Sequence, residues 1–154
     1  MKRRQLFAML AVLAVPTVLL AADSRVGTWK YNAAKSKFDP PSGAYKSRTA
    51  KVEAAGEGIK VAVEGVGADD KPQAYSYTVN YDGKDYPVTG IPMYDAVAYK
   101  KVDENTLEGT NKKGGQVVST VTIVVSKDGK TMTVTSKGKT DKGAFNNVVV
   151  YDKQ

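Results

Sequence analysis

Gly27-Thr28-Trp29-Lys30 contains the only tryptophan of this 154-residue chain, and it stands where an apolar leader gives way to a strand-rich sequence. From here onward, apolar and polar residues alternate with a period of two and turn signals recur, whereas helical periodicity is nearly absent. A large aromatic residue in the first strand of such a chain is usually a core residue. We therefore expect Trp29 to plug a small all-β domain, which is a structural role and not a catalytic one.

The leader, residues 1–22, has the features of a secretory signal peptide. It combines a basic n-region (residues 2–4), an apolar h-region (residues 6–15) and a small-residue cleavage site. Pro16 breaks the apolar run, which falls short of the ~20 residues that span a bilayer, so a membrane anchor is the minor alternative. We expect an exported protein, periplasmic or extracellular, with residues 23–154 not stably inserted in a membrane. Sec and twin-arginine export both stay open.

The composition narrows the chemistry that the domain can perform. The chain has no histidine and no cysteine, which removes the usual general base, thiolate catalysis, disulfides and zinc clusters. The acidic pairs Asp69-Asp70 and Asp103-Glu104 lie in predicted turns, where solvated loop charge is the ordinary explanation. The sequence therefore predicts no enzyme activity, no metal site and no cofactor.

The positive charge is mild once the leader is set aside. The formal net charge is +7, but three of the 23 basic residues belong to the leader and all 16 acidic residues follow it, which leaves +4 for residues 23–154. The lysines are scattered over strands and turns, which favours a solvated surface over a nucleic-acid or anionic-membrane face. We expect no nucleic-acid partner, and the sequence does not identify a protein partner.

The strand pattern predicts one domain at residues 23–154. About ten strand-like segments are joined almost entirely by short hairpin loops, so neighbours in sequence should be neighbours in the sheet. A sheet of this many strands curls, and closing it removes the exposed edges that invite aggregation. We predict a single up-and-down antiparallel β-barrel of about 8–10 strands.

Two connections between the predicted strands have sequence signals of their own. Asp82-Gly83 is a strong signal for a hairpin between the fourth and fifth strands. Residues 32–43 contain Asp39-Pro40-Pro41, which forbids a regular strand, so this irregular segment is the first place where a lid could lie.

One face of the predicted strand at residues 73–81 carries a stripe of tyrosines. Buried tyrosine hydroxyls need hydrogen-bond partners, so the stripe fits either a wet, amphipathic lumen or rings that fill the barrel and bond across it. The pattern leaves both interpretations open. The residues that we expect to line the lumen and contact a ligand are Tyr75, Tyr77, Tyr81, Tyr99, Ile123 and Tyr151.

The first and last strands of the predicted barrel resemble those of the calycins, the superfamily of the lipocalins and the intracellular fatty-acid-binding proteins. The resemblance rests on Gly27-Thr28-Trp29-Lys30, on the run of antiparallel strands, and on Val149-Val150-Tyr151-Asp152-Lys153. It implies that Trp29 closes the barrel base and that the lumen above it takes a small apolar molecule. Residues 27–38 are also similar to small exported bacterial proteins of no settled function that begin Gly-Thr-Trp-Lys-x-Asn-x-Ala-Lys-Ser-Lys-Phe.

The chain departs from the fatty-acid-binding proteins at the ligand anchor. Those proteins hold the ligand carboxylate with an Arg-x-Tyr in the last strand, whereas here Val149 stands in the arginine position before Tyr151. Their helical lid is also absent, and Lys153 is the one candidate for the basic residue that covers the lipocalin tryptophan. The leading hypothesis is an exported lipocalin-like barrel that binds a small apolar or amphipathic molecule in its lumen. The alternative is a solid barrel that acts as a periplasmic or extracellular interaction or inhibitor module without a small ligand.

Overall fold

Ten antiparallel strands form one closed barrel, in which each strand lies beside its sequence neighbours and β1 closes on β10. The computed structural model describes residues 22–154, so the predicted signal peptide lies outside the described residues except for Ala22. The prediction of a single up-and-down antiparallel barrel is confirmed. The strands are β1 (Gly27–Tyr31), β2 (Ser47–Ala55), β3 (Gly58–Val66), β4 (Pro72–Asn80), β5 (Tyr86–Thr89), β6 (Ala96–Asp103), β7 (Thr106–Lys113), β8 (Gln116–Val125), β9 (Thr131–Thr140) and β10 (Gly143–Lys153).

The alternation along each strand decides which side chains enter the barrel. On β3, Ile59, Val61 and Val63 are 3–5% exposed, whereas the intervening Lys60 and Glu64 face solvent. Burying one face in this way fixes the register, since a slip of one residue would turn the apolar set outward. The connections fall at two ends: the base, with turns at residues 56–57, 81–85, 104–105 and 126–130, and the top, with turns at residues 67–71, 90–95, 114–115 and 141–142.

The hairpin predicted at Asp82-Gly83 is confirmed, since β4 and β5 are antiparallel neighbours, but its loop is wider than a two-residue turn. β4 pairs with β5 at only two positions, and the Gly83 amide donates instead to the Tyr99 carbonyl on β6 at 2.9 Å. Asp82 also forms an isolated bridge with Lys100 on β6. The local turn chemistry is present, because Asp82 Oδ1 accepts the Lys84 amide at 2.9 Å, but β6 supplies the strand partners at the base. The short β5 (Tyr86–Thr89) therefore forms few backbone pairs with its neighbours β4 and β6, and we call this part of the wall the β5 seam.

The first part of the irregular segment, residues 32–39, lies in the barrel wall along β10 and not across the top as a lid. The backbone of Lys37 exchanges two hydrogen bonds with Val148 on β10, at 2.7 and 2.8 Å. The segment contains two short 3₁₀ turns, Ala33–Lys35 and Pro41–Gly43, and therefore takes over from β1 along β10 without forming a regular strand. Phe38 is 7% exposed and belongs to the core.

The inner face changes character from base to top. Near the base, Trp29, Val79 and Leu107 are 0% exposed and belong to the apolar core. Toward the top, the inward positions carry tyrosine, arginine, asparagine and serine side chains. The barrel therefore has an apolar base and a polar, aromatic top. Within residues 22–154, no helix has the length and apolar character needed to cross a bilayer.

Candidate functional site

Inward-facing aromatic and polar side chains gather around Arg48 in the top half of the barrel. Arg48 alternates with Ala50 on the inner face of β2 and is 7% exposed. Its guanidinium carbon lies 3.3 Å from the ring centroid of Tyr45 and 5.6 Å from that of Tyr75, and Nη2 donates to Gln73 Oε1 at 2.6 Å. We define the tyrosine–arginine cluster as Arg48, Tyr45, Tyr75, Tyr77, Tyr94, Tyr99 and Tyr151.

The rings of this cluster meet edge to face. The centroids of Tyr75 and Tyr94 are 6.4 Å apart, and those of Tyr77 and Tyr99 are 6.2 Å apart. The hydroxyl oxygens of Tyr77 and Tyr99 are separated by 3.5 Å, which is at the long limit of a hydrogen bond. The rings thus form a lining that is apolar on its faces and carries hydroxyl groups available for further hydrogen bonds.

The cluster combines one fixed positive charge with neutral hydroxyls. Burial opposes the charge of Arg48, but its contacts with the surrounding tyrosine side chains hold the Arg48 pKa above the ordinary arginine value. Among residues 22–154, no ion pair includes Arg48. Within the same range no three acidic side chains converge as metal ligands would. Burial raises the pKa of the buried hydroxyls and keeps them protonated at neutral pH, at Tyr77, Tyr94, Tyr99 and Tyr151.

Several inward-facing positions in the top half of the lumen are not fully buried. Tyr75 and Tyr77 face inward yet are only partly buried, and so are Ser136 and Asn147 on the inner faces of β9 and β10. Two clefts of about 520 and 310 Å³ lie elsewhere, one at the base turns around residues 103–106 and one beside β6 and β7, and neither is lined by the tyrosine–arginine cluster. The incompletely buried top half is therefore the part of the lumen that a small molecule could occupy.

A second polar pair lies on the wall opposite Arg48, since β7 is five strands from β2 in the ring of ten. Asn111 Nδ2 donates to Ser119 Oγ at 3.0 Å, and the two residues are 8% and 5% exposed. Asn111 Oδ1 is buried without a hydrogen-bond partner among the described residues. An unpaired buried acceptor costs about 1–3 kcal/mol, so this wall would gain from a ligand that supplies a donor.

Replacing this polar pair with apolar residues of similar shape tests that cost. The double variant Asn111→Leu, Ser119→Ala is expected to raise the free energy of unfolding by about 1 kcal/mol, because it removes an unsatisfied acceptor without leaving a partner unpaired. Urea unfolding of the ligand-free protein measures the change. Asn111→Ala alone is the control, and we expect it to be destabilising, because it leaves a void beside Ser119. A loss of more than about 1 kcal/mol in the double variant would contradict the idea that the pair is a cost in the free barrel.

Tyr99 is positioned by the glycine opposite it on β7. A Cβ atom at Gly109 would lie 2.2 Å from Tyr99 Cδ1 and 2.1 Å from the Ala98 carbonyl oxygen, so Gly109→Ala forces the ring to move. We expect this variant to lose about 1–3 kcal/mol of unfolding free energy and to shift the ring NMR signals of Tyr99. In the control Gly114→Ala the new methyl meets open space at φ +55°, so it should lose only on the order of 1 kcal/mol and leave the Tyr99 signals in place.

The structure brings four of the six predicted lumen residues together. Tyr75, Tyr77, Tyr99 and Tyr151 all belong to the tyrosine–arginine cluster. Tyr81 lies at the base, where its hydroxyl donates to the Asp23 carboxylate. Ile123 is 8% exposed in the apolar core.

Trp29 lies in the base, beneath the chain segment that precedes β1. Its indole Nε1 donates to the Arg25 carbonyl at 2.7 Å, and Lys153 Nζ lies 5.3 Å from the ring centroid. Arg25 is 1% exposed and its Nη1 pairs with Asp23 Oδ1 at 2.9 Å. The base is thus sealed by an indole, an ion pair and a lysine stem.

Sequence reasoning missed Arg48, Tyr45 and Tyr94. A signal for Arg48 was present, since the alternation along β2 places it on the same face as the buried Ala50 and Val52. Tyr45 and Tyr94 lie outside the strands, where no periodicity marks an inward position. The guanidinium close to Tyr151 therefore belongs to Arg48 on β2. It does not come from position 149 of the last strand, where Val149 is a buried apolar residue.

These features define the class of protein as a closed ten-stranded antiparallel β-barrel with a positively charged, tyrosine-lined top. No protein-family model matches the chain, and no curated protein sequence matches it. A solved structure described as EF1p2_mFAP2b bound to DFHBI is similar to it, with a TM-score of 0.49 and 12% sequence identity, covering 87% of this chain and 97% of that chain. Fold alone does not assign a function, so the geometry of the site has to carry it.

Proposed function

We propose that the protein is an exported barrel that binds a small amphipathic molecule in the top half of its lumen. The observation that carries this proposal is the partly exposed inner face at the top, formed by Tyr75 and Tyr77, above a base in which Trp29 is 0% exposed. A core built only for stability gains nothing from solvent contact at inward positions. Export rests on the predicted leader, and binding without catalysis rests on a sequence that lacks histidine and cysteine.

The chemistry of the cluster suits such a molecule. Tyrosine faces offer large apolar contact areas, and their hydroxyls and the Arg48 guanidinium orient polar groups, which is the usual composition of a small-molecule site. Entry requires the rings to part, and the weak hydroxyl contact between Tyr77 and Tyr99 offers little resistance. The β5 seam, with two pairs to β4 and two to β6, is the part of the wall that opens most easily.

Titration with 1-aminoanthracene, a neutral fluorescent probe, tests lumen binding. We expect saturable binding of one probe per protein, and native mass spectrometry of protein purified from its own host should show a co-purifying small molecule. Ser136→Trp, which fills the inner face of β9, should weaken probe binding at least about tenfold, a change of about 1.4 kcal/mol. Lys137→Trp adds the same ring to the exposed outer face and should leave binding unchanged.

The contrary result is a barrel that binds no probe with saturation and carries only its own mass. That outcome would favour the second hypothesis, a solid barrel acting as an interaction or inhibitor module through its outer surface. Equal binding in Ser136→Trp and Lys137→Trp would instead place the probe outside the lumen.

A further inference from the structure

We propose that the molecule bound in the lumen carries a negatively charged group, a carboxylate or an equivalent monoanion, that pairs with Arg48. This inference rests on the proposed lumen binding and adds the chemical class of the ligand and the residue that selects it.

The charge of Arg48 is buried and lacks an opposite charge. An arginine side chain cannot lose its proton at physiological pH, so its charge persists although the residue is only 7% exposed. Its neighbours are the ring faces of Tyr45 and Tyr75 and the amide of Gln73, all of them neutral. A buried charge with no counter-charge is costly, and ring faces offset only about 2 kcal/mol of such a cost.

The other buried arginine of this fold has its counter-charge within the protein. Arg25 is 1% exposed, and the Asp23 carboxylate neutralises it with Nη1 and Oδ1 2.9 Å apart. The protein thus supplies its own carboxylate at the sealed base. At the top, no carboxylate of residues 22–154 pairs with Arg48.

The surroundings of Arg48 also fit an anion geometrically. The guanidinium donates from Nη2 to Gln73 Oε1 and lies within hydrogen-bond reach of the Tyr151 hydroxyl. The remaining donors of its planar fork can bind the oxygens of a carboxylate. Arg48 is also close enough to Tyr151 to act against the rise that burial causes in the pKa of that hydroxyl. The protonated Tyr151 hydroxyl adds a neutral donor beside the guanidinium, and charge-assisted hydrogen bonds of this kind are about twice as strong as neutral ones.

A head-group series with one tail length tests the inference by isothermal titration calorimetry. The probes are decanoate, decyl sulfate, decan-1-ol and decyltrimethylammonium, each below its micelle concentration and at low salt. We expect decanoate to bind at least about tenfold more tightly than decan-1-ol and the cation not to bind. Decyl sulfate separates a site that prefers the planar carboxylate from one that takes any monoanion, and binding of either anion in preference to the alcohol supports the proposal.

Variants on the two faces of β2 assign the preference to one side chain. Arg48→Gln should weaken decanoate binding at least about tenfold and leave decan-1-ol nearly unaffected. The control Lys51→Gln removes the same charge from the outer face of the same strand, where the lysine side chain is 65% exposed, and should change neither affinity. Arg48→Lys keeps the charge without the fork and should give an intermediate decanoate affinity.

The outcomes separate this inference from the proposed function. Equal binding of decanoate and decan-1-ol by the unaltered protein would overturn the anionic ligand and leave lumen binding standing. The anionic ligand would be overturned in the same way if Arg48→Gln and Lys51→Gln behaved alike. If neither the series nor 1-aminoanthracene bound, the proposed function itself would fail. The head-group preference of the unaltered protein decides the matter even if Arg48→Gln does not fold.

Discussion

Replacing Trp29 with alanine is expected to lower the free energy of unfolding by about 3–5 kcal/mol, the range found for removing a large buried aromatic side chain. The indole is 0% exposed, so its removal leaves a cavity at the base that the closed strand ladder cannot easily fill. The variant also loses the hydrogen bond from Nε1 to the Arg25 carbonyl, which is 2.7 Å long. The segment that seals the base then loses its main attachment to the core.

Urea unfolding followed by far-ultraviolet circular dichroism measures this loss, because the variant has no tryptophan fluorescence to follow. Val124→Ala, at an outer position that is 40% exposed, is the control and should change stability by less than about 0.5 kcal/mol. A loss of less than about 1 kcal/mol in Trp29→Ala would show that the indole is not the plug of the barrel.

The second large effect is expected at Asp23, the carboxylate that neutralises Arg25. Asp23→Asn should cost about 3 kcal/mol at neutral pH, because it leaves a buried guanidinium without its counter-charge. Arg25 is 1% exposed, and its Nε and Nη2 atoms already lack partners among the described residues. The Tyr81 hydroxyl loses its carboxylate acceptor as well.

The same carboxylate predicts an acid dependence of stability. Burial opposes the ionisation of Asp23, but hydrogen bonds from Tyr81 and Arg25 outweigh it, so the folded-state pKa lies below the ordinary aspartate value of 3.8. A lowered carboxyl pKa stabilises the folded state above the unfolded pKa, and this contribution disappears as the pH falls toward the folded pKa. Stability attributable to Asp23 should therefore be complete above about pH 5 and decline below it.

Comparing urea midpoints at pH 7 and pH 3 checks this. Asp23→Asn should lose less stability over that interval than the unaltered protein, because its side chain no longer titrates. Glu57→Gln, in the exposed turn between β2 and β3, should keep the full acid dependence. An unchanged pH profile in Asp23→Asn would contradict the role of the Asp23–Arg25 pair.

The fold could be predicted because apolar and polar residues alternate within each strand, and this alternation marks the side chains that face the inside of the barrel. Ile59, Val61 and Val63 show this on β3, where every second residue is apolar and buried. The contact of the Asp82-Gly83 turn with β6 could not be predicted in this way. Turn chemistry is local, but whether β5 or β6 pairs beside it depends on contacts with residues far along the chain, such as the Tyr99 carbonyl.

The site was only partly predictable because it is assembled from different strands and from loops. The tyrosine stripe of β4 led to Tyr75 and Tyr77, yet Tyr81 on the same face belongs to the base, since the strand is long enough to run from one end of the barrel to the other. Arg48 and Asn111 lie on opposite walls. Their relation depends on the closure of the ring, which no local pattern encodes.

The two halves of the barrel thus serve different purposes. The base holds the side chains whose removal should cost the most stability, Trp29 and Asp23. The top holds the charge of Arg48 without a counter-charge, which costs stability in the free protein and would gain a partner from an anionic ligand. This division links the strand register to the proposed binding role.

Carbon-13 NMR of protein labelled at its tyrosine rings, titrated with decanoate, tests most directly the claim that the tyrosine–arginine cluster binds an amphipathic ligand. Saturating decanoate is expected to shift the ring signals of Tyr75, Tyr77, Tyr99 and Tyr151 together. The signals of Tyr81 and Tyr86, which bond to Asp23 and Asp82 at the base, should stay in place. Unchanged cluster signals, or shifts confined to the base tyrosines, would contradict the account.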